Sequence, residues 1–254
     1  MCGRYVAVQA PEQLAAEFEV ERVAVSGQVE PDYNVAPTKP VLGVLARVPR
    51  DQPDGPAQRQ LRTLRWGLIP SWAKDRAIGN RLINARVESA PDKPSFRKAF
   101  EKRRCILPAL GFYEWDQPAA REKGSKAPPK QPYFIHRADG STLAMAGLYE
   151  LWLDPKRDRD DPEAWLWSCT VLTTRATDEA GRIHDRAPLV VPASAYEAWL
   201  APELGDTDLR ELLVPATVGV RVDPVSTAVN NVANNGPQLI EPLPGDQGEP
   251  HDLR

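Results

Sequence analysis

The chain is predicted to be α+β: a single domain on a curved, mainly antiparallel β-sheet, barrel-like, with short peripheral helices. Extended apolar segments outnumber helical ones, the helical patterns are short and dispersed, and no internal repeat or long linker divides the 254 residues. That length suits one sizeable core. The domain is expected over residues 2–242, with 243–254, rich in Pro, Gly and charge, as a flexible tail.

Residues 5–8 read as the first strand. Residues 11–18 read as a short helix, with Pro11 in the first turn and Leu14 and Phe18 spaced i, i+4 on one buried face. Residues 32–38 look like a turn-rich connection whose Pro37 biases Ala36 to extended geometry. The nearly all-apolar run 41–48 suits a buried strand, and a polar loop, 49–60, joins it to an alternating partner strand at 61–69. A loop of aromatic and basic residues follows at 71–80. Residues 95–103 have a helical pattern with Ser95 as N-cap, and 105–115 reads as one central strand. A Lys/Pro-rich loop at 117–131 precedes strands at 133–136 and 143–151. A charged loop at 154–162 leads into a long strand at 165–174. Residues 178–184 begin as a helical turn and end in a glycine-punctuated loop. A short extended run at 189–191, helices at 193–200 and 207–213, with Asp206 a candidate cap for the second, and a last strand at 218–222 complete the chain.

Composition excludes several classes. Three cysteines in a chain this long form no disulfide framework, and none are paired at metal-ligand spacing. With only three histidines a zinc site is not expected, and no cofactor is. No apolar run approaches a membrane span and no signal-peptide pattern is present, so a cytoplasmic monomer is expected, nucleoid-associated when acting on DNA. The net charge of -3 argues against a general nucleic-acid binder, but its distribution is uneven. Residues 61–105 hold 12 Lys and Arg against 4 Asp and Glu, a surplus of +8, and the remainder carries -11. Arg62, Arg65, Arg76, Arg81, Arg86, Arg97 and Arg104 alternate there with Trp66, Trp72 and Phe96. A charge run is usually a solvated face. Cations with interspersed flat rings are also what a single-stranded nucleic-acid groove requires.

Few residues carry candidate chemistry. Cys2, once Met1 is removed, bears an α-amine and a thiol on adjacent carbons, with reference pKa values of about 8 and 8.5. Such an aminothiol condenses with an aldehyde to a Schiff base, which the thiol closes to a five-membered thiazolidine. Without that processing, Cys2 is a thiol at a frayed chain start. Glu114 lies among Phe112, Tyr113 and Trp115, where desolvation would suit it to acid–base work, unless strand alternation turns it to water. His184 sits in a loop beside Asp185 and Arg186 as a proton donor or acceptor, or as a solvated loop histidine. Asn84 and Arg86, spaced i, i+2, face one side of a strand, as a phosphate clamp or a surface polar pair. Cys105 and Cys169 read as inert core residues.

Six motifs then fall in order: Met1-Cys2-Gly3-Arg4-Tyr5, Tyr33-Asn34-Val35-Ala36-Pro37-Thr38, Trp66-Gly67-Leu68-Ile69-Pro70, Asn84-Ala85-Arg86-Val87-Glu88, Gly111-Phe112-Tyr113-Glu114-Trp115 and Ile183-His184-Asp185-Arg186. With Val225-Ser226-Thr227-Ala228-Val229-Asn230-Asn231 near the end, this set resembles the SRAP (SOS response-associated peptidase) family over nearly the whole chain. The resemblance implies covalent crosslinking to abasic sites in single-stranded DNA, a lyase-like Schiff-base chemistry that shields the lesion during the DNA damage response. It implies that Cys2 forms the thiazolidine, Asn84 fixes the reacting group, and Glu114 shuttles protons. His184 would assist sugar-ring opening and reversal, with Thr173 in the same pocket. Arg4 and Arg86 would hold flanking phosphates, and Trp66, Trp72 and the segment Pro37 to Pro40 would wedge or stack on neighbouring bases. Ala187 and the pair Asn235-Gly236 depart from the family pattern and affect local packing only.

Two other readings use parts of the same set. A cysteine peptidase would take Cys2 as thiolate and His184 as base, acting first on the Met1–Cys2 bond. A non-covalent reader of damaged or modified single-stranded DNA would need the basic-aromatic groove and neither Cys2 nor Glu114.

Overall fold

A computed structural model describes residues 2–49, 51–116, 130–176, 181, 183–202, 209–215 and 219–244. Residues 117–129 of the expected loop, most of the helical turn expected at 178–184, the start of the helix expected at 207–213 (whose residues 209–212 are turn, not helix) and most of the C-terminal tail lie outside these residues. The strands are β1 (Tyr5–Ala7), β2 (Arg22–Ala24), β3 (Asp32–Val35), β4 (Pro40–Arg47), β5 (Gln58–Trp66), β6 (Asn84–Arg86) and β7 (Arg104–Ala109). They continue with β8 (Gly111–Trp115), β9 (Pro132–Arg137), β10 (Leu143–Leu153), β11 (Trp165–Arg175), β12 (Arg186–Val190), β13 (Val214–Pro215) and β14 (Val220–Pro224). The α-helices are short: α1 (Pro11–Glu17), α2 (Arg97–Lys102) and α3 (Tyr196–Leu200).

The strands form two sheets in one domain. A five-stranded sheet runs β14-β9-β8-β1-β3, all antiparallel. The larger sheet runs β13-β12-β10-β7-β4-β5-β11-β6, with β2 beside β5. Its pairings close on themselves, because β11 pairs antiparallel with β10 and parallel with β5. That closure through β10, β7, β4, β5 and β11 gives the expected barrel-like curvature and protects edges that would otherwise template pairing. One face of the larger sheet packs under the helices, with Leu14, Phe18, Phe96, Phe100 and Trp199 on Val44, Leu61, Ile106 and Leu148. Its other face meets the five-stranded sheet through Leu45, Leu64, Trp66, Leu107, Phe112 and Ile135.

Four local expectations are corrected. Residues 105–115 form two strands in different sheets, β7 and β8, with the switch at Leu110. Gly111 permits it: a Cβ there would stand 2.6 Å from the Ile135 carbonyl oxygen and from the Phe134 ring. Ser95 is not the N-cap of α2, which starts after Phe96 without a side-chain cap. Residues 32–35, expected as a connection, form β3 against β1. Residues 193–200 are a 3₁₀ turn, Ala193–Ala195, followed by the helix α3.

Candidate active site

The site is built where the two sheets meet. Cys2 precedes β1 by three residues and is fully buried in the apolar layer between the sheets. Its thiol lies 3.9 Å from the Arg4 carbonyl oxygen. Burial pushes the thiol well above its ordinary pKa, and the nearby Glu114 carboxylate pushes it in the same direction. Asn84, the first residue of β6, donates from Nδ2 to the Cys2 carbonyl oxygen at 2.7 Å. Its Oδ1 is buried with no hydrogen-bond partner among the described residues.

Glu114 lies on β8, whose neighbour β1 carries the start of the chain. Strand alternation turns it inward, not to water: the residue is only 4% exposed. Burial raises its carboxyl from 4.5 to about 7, with the charge of Asp185 adding to the rise. A carboxyl at that value exchanges its proton near neutrality. His184 precedes β12 and is half-buried. Its Nδ1 accepts from the Arg186 backbone N–H at 3.0 Å, which assigns the ring proton to Nε2. Asp185 Oδ1 stands equally near that nitrogen, at 3.0 Å, and would favour a protonated ring. Burial, the largest influence on this imidazole, lowers its pKa, so the neutral Nε2–H form is the one at neutral pH.

Sequence reasoning overlooked two polar clusters that hold these groups. Arg186, almost wholly buried, donates to Glu88 at 2.8 and 3.0 Å and to the Thr173 carbonyl oxygen at 2.6 Å. This ties the His184 loop to the segment that carries Asn84 and Arg86. Asn34 is fully buried: its Oδ1 accepts from Arg4 Nη1 at 2.7 Å, and its Nδ2 is shared among the carbonyls of Val229, Asn231 and Asn234 at 3.0–3.2 Å. Arg4 Nη1 also reaches the Val229 carbonyl at 3.0 Å, and its guanidinium lies over Trp115, 5.7 Å from the ring centroid. Both Asn34 and Arg186 stand inside motifs already recognised. Their signal was a polar residue in an apolar strand, which spacing alone does not separate from a surface position.

The remaining expected residues divide. Arg86 is exposed on β6, opposite Thr173 in the register, and Trp72 is 58% exposed. Pro40, exposed, opens β4. Thr173 is fully buried, its hydroxyl accepting from Arg186 at 3.2 Å. Trp66 is corrected: it is fully buried, edge-on to Tyr5, and its indole donates to the Ile83 carbonyl at 2.9 Å. It packs the core and presents no face for a base. Trp72 rides on a loop held close to the sheet, because Gly67 and Gly79 approach back to back. A Cβ on Gly67 would stand 2.5 Å from the Gly79 carbonyl oxygen. Among the described residues no group of three or more His, Cys, Asp or Glu could hold a metal.

The site thus brings an acid of raised pKa and an asparagine against the backbone of Cys2, with an exposed arginine two residues beyond that asparagine. The chain belongs to the SRAP family: the family model described as SOS response associated peptidase matches residues 1–232. It is 37% identical over 243 residues to the abasic site processing protein YoqW of Bacillus subtilis, covering 95% of this chain and 99% of that protein. It is 34% identical over 250 residues to the abasic site processing protein YedK of Escherichia coli, covering 96% and 100%. A crystal structure of a Bacteroides thetaiotaomicron protein has the same fold, with a TM-score of 0.73 at 22% identity, covering 95% and 100%. No helix among the described residues is long and apolar enough to cross a membrane.

Proposed function

We propose that this protein processes abasic sites in single-stranded DNA by capturing them covalently at Cys2. The observation that carries the reading is the Asn84 bond to the Cys2 backbone, beside the buried acid Glu114. After Met1 is removed, the Cys2 amine attacks the ring-opened C1′ aldehyde and loses water to give a Schiff base. The thiol then adds to the C=N carbon, and its proton ends on the nitrogen as the thiazolidine closes. Glu114, exchanging its proton near pH 7, serves both the dehydration and the transfer of the thiol proton. The neutral His184 has an Nε2–H to donate to the sugar oxygen during ring opening. Asn84 orients the residue that bears both nucleophiles.

Exposed Arg86 supplies charge for phosphates flanking the lesion, and Arg4, whose Nη1 is held by Asn34 and the Val229 carbonyl, adds to it. Arg86→Ala is expected to weaken binding and flatten the slope of log affinity against log salt by about 0.7, one contact on a single strand. An unchanged slope in a fluorescence-anisotropy salt titration would remove Arg86 from the interface. A thiolate–imidazolium peptidase pair fits less well, because burial holds the thiol protonated and His184 neutral.

The test is a denaturing gel of purified protein, with Met1 loss verified by mass, mixed with an oligonucleotide carrying one abasic site. A heat-stable shifted band requiring the lesion is expected. No band, with Met1 absent, would overturn the proposal.

A further inference from the structure

Thr38 holds a backbone conformation that its own side chain opposes. Its φ is +76°, in the left-handed region, where a residue branched at Cβ is an outlier. Pro37 precedes it, and the Lys39 N–H donates to the Ala36 carbonyl at 3.3 Å. Residues 36–39 therefore close as a type II turn does, with Thr38 in the position that glycine ordinarily fills. The strain is held from outside: the Thr38 N–H donates to the Trp66 carbonyl at 2.8 Å, and the Trp66 N–H to the Lys39 carbonyl at 3.0 Å. The side chain takes no part in that hold. It is exposed, and its hydroxyl forms no hydrogen bond among the described residues.

The turn sits at the mouth of the layer that contains Cys2. β3 lies in the five-stranded sheet and β4 in the larger one, so residues 36–39 cross from one sheet to the other. β3 runs antiparallel to β1 with Val35 opposite Tyr5. The chain therefore leaves β3 at the end where Cys2, Gly3 and Arg4 enter β1. The same Trp66 that fixes the turn donates from its indole to the carbonyl of Ile83, the residue before Asn84, and Asn84 holds the Cys2 carbonyl.

Positive charge gathers beside the turn. Arg4 Nη1 donates to Asn34 Oδ1 at 2.7 Å and Lys39 Nζ to the Asn34 backbone carbonyl at 3.2 Å, so one asparagine carries both cations. Asp32 pairs with Lys39 at 2.6 Å, while among the described residues no carboxylate forms an ion pair with Arg4. A glycine at position 38 would make the same turn without strain, so what threonine adds there is its side chain. Branching at Cβ restricts χ1, which presents the hydroxyl in few directions. A neutral donor of fixed direction beside a guanidinium suits a phosphate oxygen.

We propose that Thr38 is a binding residue for the DNA strand, its hydroxyl donating to a phosphate oxygen beside the nucleotide held at Cys2. The strained turn keeps that donor in place before DNA arrives, so the strand does not have to order it. The inference rests on the abasic-site reading for its polymer. Thr38 adds affinity and register to the bound strand and takes no part in the covalent step.

Three substitutions test it by fluorescence anisotropy, on an undamaged single-stranded oligonucleotide so that no crosslink contributes. Thr38→Val keeps the branch and loses the hydroxyl, and Thr38→Ser keeps the hydroxyl. Thr38→Gly removes the side chain together with the strain. The valine and glycine variants are expected to bind about tenfold more weakly, the size of one hydrogen bond to a charged group. The serine variant should bind near wild type. A neutral donor displaces no counterion, so the plots of log affinity against log salt should stay parallel to that of the wild type. The glycine variant also controls for folding, since its Tm is expected at or above the wild-type value. Wild-type affinity in the valine or glycine variant, or a serine variant as weak as the valine one, would overturn the contact. The denaturing gel reads the other proposal separately: no crosslink, together with these losses, sinks the covalent reading and keeps this one.

Discussion

Cys2→Ala is expected to abolish the heat-stable adduct completely while leaving a weaker, trappable one. After Met1 removal, the alanine in this variant would still present an α-amine on the same backbone, held by the same Asn84 bond. The amine still condenses with the aldehyde, but no thiol closes the ring, so the Schiff base hydrolyses back. Borohydride added during the reaction should reduce it to a stable secondary amine and restore a shifted band. Without borohydride the band should vanish. DNA affinity should stay near wild type, because the cysteine contributes no charge. Folding should lose on the order of 1 kcal/mol, since one buried sulfur leaves a small void in the layer between the sheets. A heat-stable band persisting in this variant would show that another nucleophile does the chemistry. Lost DNA binding would assign Cys2 a structural role alone.

Glu114→Gln separates chemistry from stability in one substitution. The amide cannot exchange a proton near neutrality, and the crosslinking rate is expected to fall about 100-fold, at the lower end of general acid–base contributions. Stability should move the other way. Glu114 is raised to about 7 in the folded protein against 4.5 for the ordinary carboxyl. Below the ordinary value both states hold the proton and no penalty exists. Between the two values the folded protein retains a proton that the unfolded chain has released, so stability falls as pH rises. Above about 7 the penalty is complete, on the order of 3 kcal/mol. Removing the ionisable group should therefore raise Tm at pH 8 by several degrees and change little at pH 4. The measurement is thermal unfolding of both proteins across that range. A Tm difference independent of pH would mean that Glu114 is not a buried acid, and a normal crosslinking rate would remove it from the mechanism.

What the sequence disclosed was set by period and order. Helical spacing found the helix after β1, alternation found β5, a continuous apolar run found β4, and β10 and β11 were legible as long strands. Residues 105–115 stayed apolar on both sides of a sheet switch, and continuous hydrophobicity cannot mark a bend that one glycine permits. Trp66 and Trp72 are six residues apart in one basic segment, yet one is core and the other exposed. Composition treats them alike; only the turn at Gly67 and the contact with Tyr5 separate them. Cys2, Glu114, Asn84 and His184 were legible as residue types, but the bonds that hold them join positions far apart in the chain. Asn34 to Val229 and Glu88 to Arg186 are such bonds, and spacing contains no information about them.

The Arg4–Val229 bond spans 225 positions and sets an order of events during synthesis. Arg4, two residues from the Cys2 proposed to react, is made 225 residues before Val229, which belongs to the segment at 229–234 that clasps Arg4 and Asn34. At ordinary elongation rates that interval is on the order of 10 to 45 seconds. Throughout it Arg4 and Asn34 lack the carbonyls that clasp them, and on the covalent reading proposed above Met1 is expected to be trimmed in that interval. Closure of the clasp then ends the interval. The distance along the chain between Arg4 and Val229 would thereby order that processing before closure. A chain truncated before Val229 would be trimmed normally and still lack the clasp.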